Sequence, residues 1–390
     1  MTVENGSIEH LRVNWVSHGY GYGGDLMYFG EIFAHFLALA PAMSVIVDRK
    51  ANFENPYNLP LRPLMRLFSI PLKRRAEGGQ IYDTEIRLPS PGLLARLIRL
   101  PTDVYIAIEF TPASLLAVAA AATRKGKPLV LLVESDPAGR GGSTSPAIRA
   151  VKRWAVRRAA IVQTNSAKGR DYLVGQLGAD PAKVRVAPYL TSRPPGPAST
   201  IADSGGPVRM LFANSISPRK GLRQLLTALA ALTPADRARI DLTIVGDGPE
   251  RAELEAVAAA LGMGGRLRFE GRKRYAELGE YYARSDVLLV PSLADYRSLA
   301  SFEGLAYGLA LLNSTRDGAT DETVREGVNG FAIDPHDPSQ IADRISRLVN
   351  DRALLLSMRK ASASLYEARF SLERIAANLA ESVRLAHACK

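Results

Sequence analysis

Two hydrophobic patterns alternate along the chain. Short, nearly continuous apolar runs are "LRVNWVS", "MSVIVD", "DVYIAIEF", "PLVLLVE", "AAIVQTN" and "KVRVAP" in the first half. "VRMLFAN", "IDLTIVGD", "RLRFEG", "DVLLVPS", "LALLNST" and "GFAID" follow in the second. Between them lie segments such as "LRQLLTALAAL" and "ERAELEAVAAALG", whose apolar residues recur at three-and-four spacing. The first pattern suits strands buried on both faces of a parallel sheet, the second a helix with one apolar stripe. Their alternation predicts an α/β fold of two tandem Rossmann-like, doubly wound domains. Such sheets work at the carboxyl ends of their strands, so a cleft between the domains is the expected functional surface. "LTSRPPGPASTIADSGGP", Leu190 to Pro207, fits neither pattern and reads as a linker. The expected division is 1–190, a linker at 191–207, a second domain at 208–370, and a helical tail at 371–390 free to cross back to the first domain.

Composition narrows this picture. A chain of 390 residues, 47% hydrophobic and 23% charged, is globular with room for sizeable cores. Its single cysteine, Cys389, can form no internal disulfide. The opening "MTVENGSIEH" is polar and acidic, unlike a secretory signal, and "ASLLAVAAAAT" is too short to span a bilayer. A cytoplasmic protein is expected, with peripheral contact at the inner face of the plasma membrane.

Charge adds an asymmetry. Of the net +11, residues 1–200 carry 25 Lys/Arg against 15 Asp/Glu, and residues 201–390 carry 25 against 24. A basic first half implies an anionic partner. The surplus concentrates in "LPLRPLMRLFSIPLKRR" from Leu59 and in "AIRAVKRWAVRRAA" from Ala147. In the latter, Arg149, Arg153 and Arg157 share a helical stripe near Lys152 and Trp154. Cations interleaved with bulky apolar residues suit an anionic membrane surface, and a solvated helix face is the competing reading. No nucleic-acid-binding motif accompanies them, so nucleic acid is not expected as a partner.

Five short motifs could carry chemistry. "HGYGYGGDLMYFG" from His18 joins a strand to a helix starting near Asp25. Its glycines allow close backbone approach to a ligand, or simply a tight turn. In "LFANSISPRKGLRQLL", Pro218 suits a first helical turn, and Arg219 and Lys220 place cations beside free N–H groups, a good setting for phosphate. "TIVGDGPE" from Thr243 is ordinary strand-turn-helix punctuation. In "FEGRKRYAEL" the triplet Arg272, Lys273, Arg274 lies just past a strand, as a nucleotide contact or as a solvated loop. In "PSLADYRSLASFEGLAYG" Asp295 follows a strand, and Glu303 lies eight positions on in a helical run. On a helix that spacing returns to about the same face, so both acids are expected to point into one cleft, where carboxylates can accept from sugar hydroxyls. No P-loop, GxSxG elbow or zinc spacing of the histidines is present, and neither metal nor cofactor is expected.

In this order, with "GVNGF" from Gly327 closing the series, the motifs resemble those of GT-B fold glycosyltransferases of the retaining family 4 type. The resemblance covers most of the chain, most strongly from Val208 to about Phe370 and weakly from Ala51 to Pro101. It implies a hexosyltransferase that takes a UDP- or GDP-linked sugar as substrate and passes the hexose to a sugar hydroxyl with retention of configuration. A carbohydrate or lipid-linked acceptor, as in bacterial surface polysaccharide or glycolipid synthesis, agrees with the basic first half. By position, Lys220 binds the donor diphosphate, with Arg219 beside it. Asp295 lies near the donor sugar, Glu303 at the ribose, and Ser298 and Leu299 border the donor. Gly271 to Arg274, with Arg272 and Lys273, flank the base, and Gly23 and Gly24 meet the phosphates on domain closure. The leaving-group charge is carried by cations and N–H groups without metal.

The chain departs from the family pattern at three places. Asp295 stands where the family has Glu, Arg297 and Ser298 stand where a Phe-Gly pair is usual, and Asn214 occupies the place of an arginine six positions before the lysine. One cation is lost and one gained, so Arg297 is expected to take over diphosphate contact. In the first domain no histidine is available at the strand ends that carry Glu109 and Glu134. Glu134, with Asp136 nearby, either orients the acceptor or is a structural acid. Two other classes stay open: a GT-B nucleotide-sugar epimerase, and a catalytically weak relative that scaffolds a membrane assembly.

Overall fold

The computed structural model describes residues 7–17, 27–49, 55, 57–75, 81–123, 127–134, 145–203 and 205–389. The chain forms two units, one holding the residues up to Leu190 together with Leu372 onward, the other Thr191–Ser371.

The first unit is built on strands β1 (Val13–Val16), β2 (Ser44–Asp48), β3 (Leu61–Met65), β6 (Val104–Ile108), β7 (Leu129–Leu132), β8 (Ile161–Thr164) and β9 (Val184–Val186). They form one parallel sheet in the order β3-β2-β1-β6-β7-β8-β9. β4 (Leu67–Arg75) and β5 (Ile81–Pro89) make a separate antiparallel hairpin. The second unit is a parallel sheet of β10 (Val208–Ala213), β11 (Ile240–Val245), β12 (Leu267–Gly271), β13 (Val287–Val290), β14 (Ala310–Ser314) and β15 (Gly330–Ile333). Its order is β12-β11-β10-β13-β14-β15.

Every apolar run quoted above contains one of these strands, and the burial explains why the runs are continuous. In β10, Val208, Met210 and Phe212 enter one core, while Leu211 enters a second core on the opposite face. In β13, Val287 and Leu289 alternate in the same way with Leu288 and Val290. Both faces are covered by helices, so neither parity of the strand can be polar.

The sequence reading missed β3 and the hairpin. Strand alternation there is broken by arginine and proline, which leaves only the cationic character visible in the sequence. In β4 Phe68 and Ile70 are exposed, and Phe68 lies directly across from exposed Leu88.

Two further elements differ from a simple two-domain division. The helix Leu372–Ala388 packs in the first unit. It buries Ile375, Leu379 and Val383, and its Ser382 hydroxyl donates to Gln163 Oε1 at 2.6 Å. Arg185 donates back to the Asn378 carbonyl at 2.5 Å. Among its described residues the stretch expected to be a linker holds no helix or strand, yet it is not loose. Thr191 and Ser192 are fully buried in the second unit, and the Tyr307 hydroxyl donates to the Pro194 carbonyl at 2.5 Å. Gly279 allows this, since a Cβ there would lie 2.1 Å from the Pro195 carbonyl oxygen.

A buried ion pair fastens the long helix Arg352–Arg369 under the sheet. Arg359, 1% exposed, donates to Asp286 Oδ1 at 2.7 Å and to the Gly308 carbonyl at 3.1 Å. It also reaches the Thr200 carbonyl at 3.2 Å. Asp286 is held from the other side by Arg209. Removing one partner of a buried pair strands the other. Arg359→Ala is therefore expected to destabilise the protein by about 3–5 kcal/mol in urea denaturation, far more than a surface Arg→Ala change.

Candidate functional site

The strand order of the second unit reverses between β10 and β13. The connections leaving those two strands run to opposite sides, which opens a crevice at their carboxyl ends. The "SPRKG" turn leaves β10, and the "PSLADYRS" loop leaves β13. Both sequence motifs thus reach the same place for a topological reason.

Gly221 locks the two loops together. Pro218–Lys220 form one 3₁₀ turn, and Gly221 ends it at φ +73°. A Cβ there would lie 1.9 Å from the Pro291 carbonyl oxygen, so both the dihedral and the approach require glycine. The Leu293 amide donates to the Arg219 carbonyl at 2.8 Å across the same seam. This contact carries the Lys220 ammonium, largely buried, onto Asp295 Oδ2 in an ion pair. Arg219 approaches Asp295 Oδ1 at 3.1 Å and donates to the Ala294 carbonyl at 3.1 Å. Burial pushes the Asp295 carboxyl up, but Lys220 and Arg219 together hold it below its ordinary value.

A third loop, after β14, completes the crevice. The Asp295 amide donates to the Arg316 carbonyl and the Gly318 amide to the Asp295 carbonyl, both at 3.1 Å. Gly318 is required, because a Cβ would meet the Tyr296 carbonyl oxygen at 2.0 Å. Asp317 is thereby brought beside Asp295. Its Oδ1 accepts from the amides of Ser298 at 3.1 Å and Ala319 at 2.8 Å. The sequence reading overlooked Asp317, Glu322, Ser192 and Tyr282. No local spacing singles them out, and only the strand order reveals Asp317 as a neighbour of Asp295.

Glu303 sits differently from the expected common face. The helix runs Leu299–Ala306, so Asp295 and Arg297 precede it and the helical-return argument fails. Glu303 is buried, and its two oxygens are taken up separately. The Ser192 hydroxyl donates to Oε1 at 2.6 Å and the Tyr282 hydroxyl to Oε2 at 2.5 Å. Burial raises the Glu303 carboxyl, and these two hydrogen bonds offset part of the rise. The Tyr282 phenol, itself buried and facing that carboxyl, is pushed well above its ordinary value.

Arg297 corrects the expectation of a diphosphate contact. It is 8% exposed, and its Nε and Nη2 donate to the two oxygens of Glu322 at 2.9 and 3.0 Å. Its guanidinium also lies 3.9 Å from the Phe302 ring centroid. A bidentate, buried carboxylate has already claimed this cation. The remaining candidates differ in exposure, and Ser298 is buried. Ser298 and Leu299 begin the helix Leu299–Ala306. Arg272 is exposed, and Lys273 faces Glu270 at 3.7 Å and the Tyr281 ring at 5.6 Å. Asn214 packs its carbonyl against Gly246, where a Cβ would approach to 1.9 Å, so "VGDGP" serves the backbone there. In the first unit Glu109 adopts φ +56°, and its Oε1 accepts from the Glu134 amide at 2.6 Å. Gly23, Gly24 and Asp136 lie outside the described residues.

Two doubly wound units, each with a reversal point in its sheet, are the GT-B architecture. The fold matches that of Anabaena HepE in complex with UDP, with a TM-score of 0.69 over 96% of this chain and 100% of that one at 18% identity. It also matches sucrose-phosphate synthase from Thermosynechococcus elongatus, with a TM-score of 0.68 over 97% and 99% of the two chains at 17% identity. At sequence level, the family model described as glycosyl transferases group 1 matches residues 200–364, and the glycosyl transferase 4-like domain matches residues 28–189. The chain belongs to the group 1 glycosyltransferase family. It is 31% identical over 300 residues to a D-inositol 3-phosphate glycosyltransferase of Nocardioides sp., covering 69% of this chain and 65% of the relative. It is 30% identical over 226 residues to the 2-deoxystreptamine glucosyltransferase of Streptomyces kanamyceticus, covering 54% and 57%. The matches thus span about three fifths of the curated relatives' length.

The Arg297–Glu322 pair generates a stability test. Arg297→Met alone leaves Glu322 buried without its cation and is expected to cost about 3–5 kcal/mol. Arg297→Met with Glu322→Leu is expected to recover most of that loss. Chemical denaturation of the two single variants and the double variant closes the cycle.

Proposed function

We propose that the protein transfers a hexose from a nucleoside-diphosphate sugar to a hydroxyl of a carbohydrate or lipid-linked acceptor, retaining anomeric configuration and without a metal. The observation that carries this reading is the cluster at the β10/β13 reversal point. There Lys220 and Arg219 converge on Asp295 beside a helix start, with Glu303 in the same helix. A diphosphate offers these cations a better partner than one carboxylate, since it bridges both. Glu303, freed from Ser192 and Tyr282, is chemically suited to accept from a ribose diol. Structural neighbours bound to UDP and to UDP-glucose support a nucleotide-sugar donor. In this reading Asp295 lies next to the donor sugar, and the leaving phosphate takes the acceptor's proton.

Calorimetric titration with UDP-glucose and a GDP-linked hexose tests the donor site. One of them is expected to bind, and Lys220→Ala is expected to weaken that binding about 10- to 100-fold through loss of a charge-assisted contact. Binding that survives Lys220→Ala unchanged overturns the assignment. Proton NMR of the anomeric signal in the first-formed product tests retention.

A peripheral membrane role for the first unit is part of the same proposal. The helix Pro146–Arg158 carries no acid, and it exposes Arg149, Arg153 and Arg157 together with Ile148, Val151 and Trp154. The hairpin residues Phe68, Ile70 and Leu88 are exposed too, and Arg66 lies 5.3 Å from the Phe68 ring. Leu67 of the hairpin and Ala155 and Val156 of the helix enter one core, so both features lie on one layer of that unit. Cations with apolar side chains between them suit an anionic lipid surface, at about 1 kcal/mol per cation. Co-sedimentation with phosphatidylglycerol vesicles is expected at low salt and is expected to fall sharply in Arg149→Glu/Arg153→Glu/Arg157→Glu. Equal sedimentation with neutral phosphatidylcholine vesicles overturns the electrostatic reading.

A further inference from the structure

Asp317 lies beside Asp295 in the β10/β13 crevice, and among the described residues no cation forms an ion pair with it. It is 3% exposed. Its Oδ1 is satisfied by two backbone amides, but its buried Oδ2 has no hydrogen-bond partner among the described residues. One of those amides belongs to Ser298, at the start of the helix Leu299–Ala306, where the helix dipole favours an anion. The charged groups facing Asp317 are Asp295 and Lys220. Arg219 is engaged on the far oxygen of Asp295, and Arg297, next to Ser298 in sequence, is committed to Glu322. A buried carboxylate therefore occupies the helix start beside the cations to which the donor reading assigns a diphosphate.

We propose that Asp317 makes donor binding proton-linked: its carboxylate stands as an internal anion at the phosphate site, and the incoming diphosphate binds with uptake of a proton on Asp317. The inference rests on the donor reading above. Two negative charges cannot be added beside Asp295 and Asp317 in a largely buried crevice unless one acid is neutralised. In the free protein Asp295 pairs with Lys220 and Arg219 through both oxygens, whereas Asp317 has no ion pair and its Oδ2 is available to carry a proton, so Asp317 is the group that yields first. Burial, then the charge of Asp295, already raise it to about 6, against the lowering effect of its two amide bonds and Lys220.

The sign follows from linkage. In the free protein Asp317 is protonated below about pH 6 and ionised above it. A bound diphosphate raises it further, so the complex holds more proton than the free protein above that pH. Donor affinity is constant below about pH 6 and falls as pH rises, by at most about tenfold per unit. UDP-glucose is a suitable probe because its diphosphate is esterified at both ends and has no phosphate proton titrating in this range. A GDP-linked hexose serves equally if the protein prefers that base.

The experiment is calorimetry of the full chain near pH 7 in two buffers of different ionisation heat. The wild type is expected to take up a large fraction of one proton on binding. Asp317→Asn, which keeps the oxygen for the Ser298 and Ala319 amides, is expected to take up none. Its affinity at pH 7.5 is expected to rise at least about threefold, with a flat pH profile. Binding by the wild type without proton uptake overturns the proposal while leaving the donor reading intact, whether or not the variant folds. Equal uptake by wild type and variant also overturns it. If neither nucleotide sugar binds the wild type, the donor reading fails and the proposal with it, an outcome distinct from pH-independent binding.

Discussion

The charge cluster of the second unit depends on one backbone contact, the passage of Gly221 at φ +73° against the carbonyl of Pro291. A side chain at Gly221 would force the turn after β10 away from the loop after β13. Lys220 and Arg219 would then lose Asp295, and a buried ammonium and carboxylate would face one another across a gap. The same logic extends to the loop after β14, where Gly318 lets the chain lie against Tyr296 and bring Asp317 alongside Asp295. Two glycines therefore decide that three acidic and basic loops share one crevice. The strand order decides only that they end on the same edge.

A second regularity is that several buried charges in this unit are partnered by groups far away in sequence. Asp286 is held by Arg209 and Arg359, Arg297 by Glu322, and Glu303 by Ser192 and Tyr282. Ser192 comes from the stretch that connects the two sheets in sequence, so one of the contacts ordering that stretch is made to Glu303. A ligand that draws Glu303 away from Ser192 removes one contact of the segment that begins the second unit. That coupling follows from the hydrogen bond alone and requires no motion to be assumed.

The sheets were legible in the sequence because buried parallel strands need apolar residues on both faces, which leaves short continuous apolar runs bounded by turn residues. The positions of Lys220 and Asp295 were legible because they follow strands whose ends must be functional or empty. Three things were not legible. The β4–β5 hairpin was hidden because its exposed apolar residues and cations break the strand pattern. The partner of Arg297 was hidden because Glu322 lies 25 residues on and is recognisable only once β14 is placed beside β13. The helix start at Leu299 removed the common face expected for Asp295 and Glu303. Periodicity gives the phase of a helix but not the residue at which it begins.

Under the donor reading, the departures from the family pattern have a shared electrostatic consequence. Arg297 adds a cation to the loop, but Glu322 holds it there through both carboxylate oxygens. Arg219 and Lys220 lie near the helix start, and both already face Asp295. A ligand with a single charge would exchange one carboxylate contact for another and leave the local charge more negative, with little net gain. A diphosphate can bridge both cations and accept from the helix-start amide, which makes the exchange favourable. The crevice therefore discriminates by number of charges rather than by strength of attraction. Its ligand-free state is already electrically satisfied, and only an anion that replaces several contacts together can displace it.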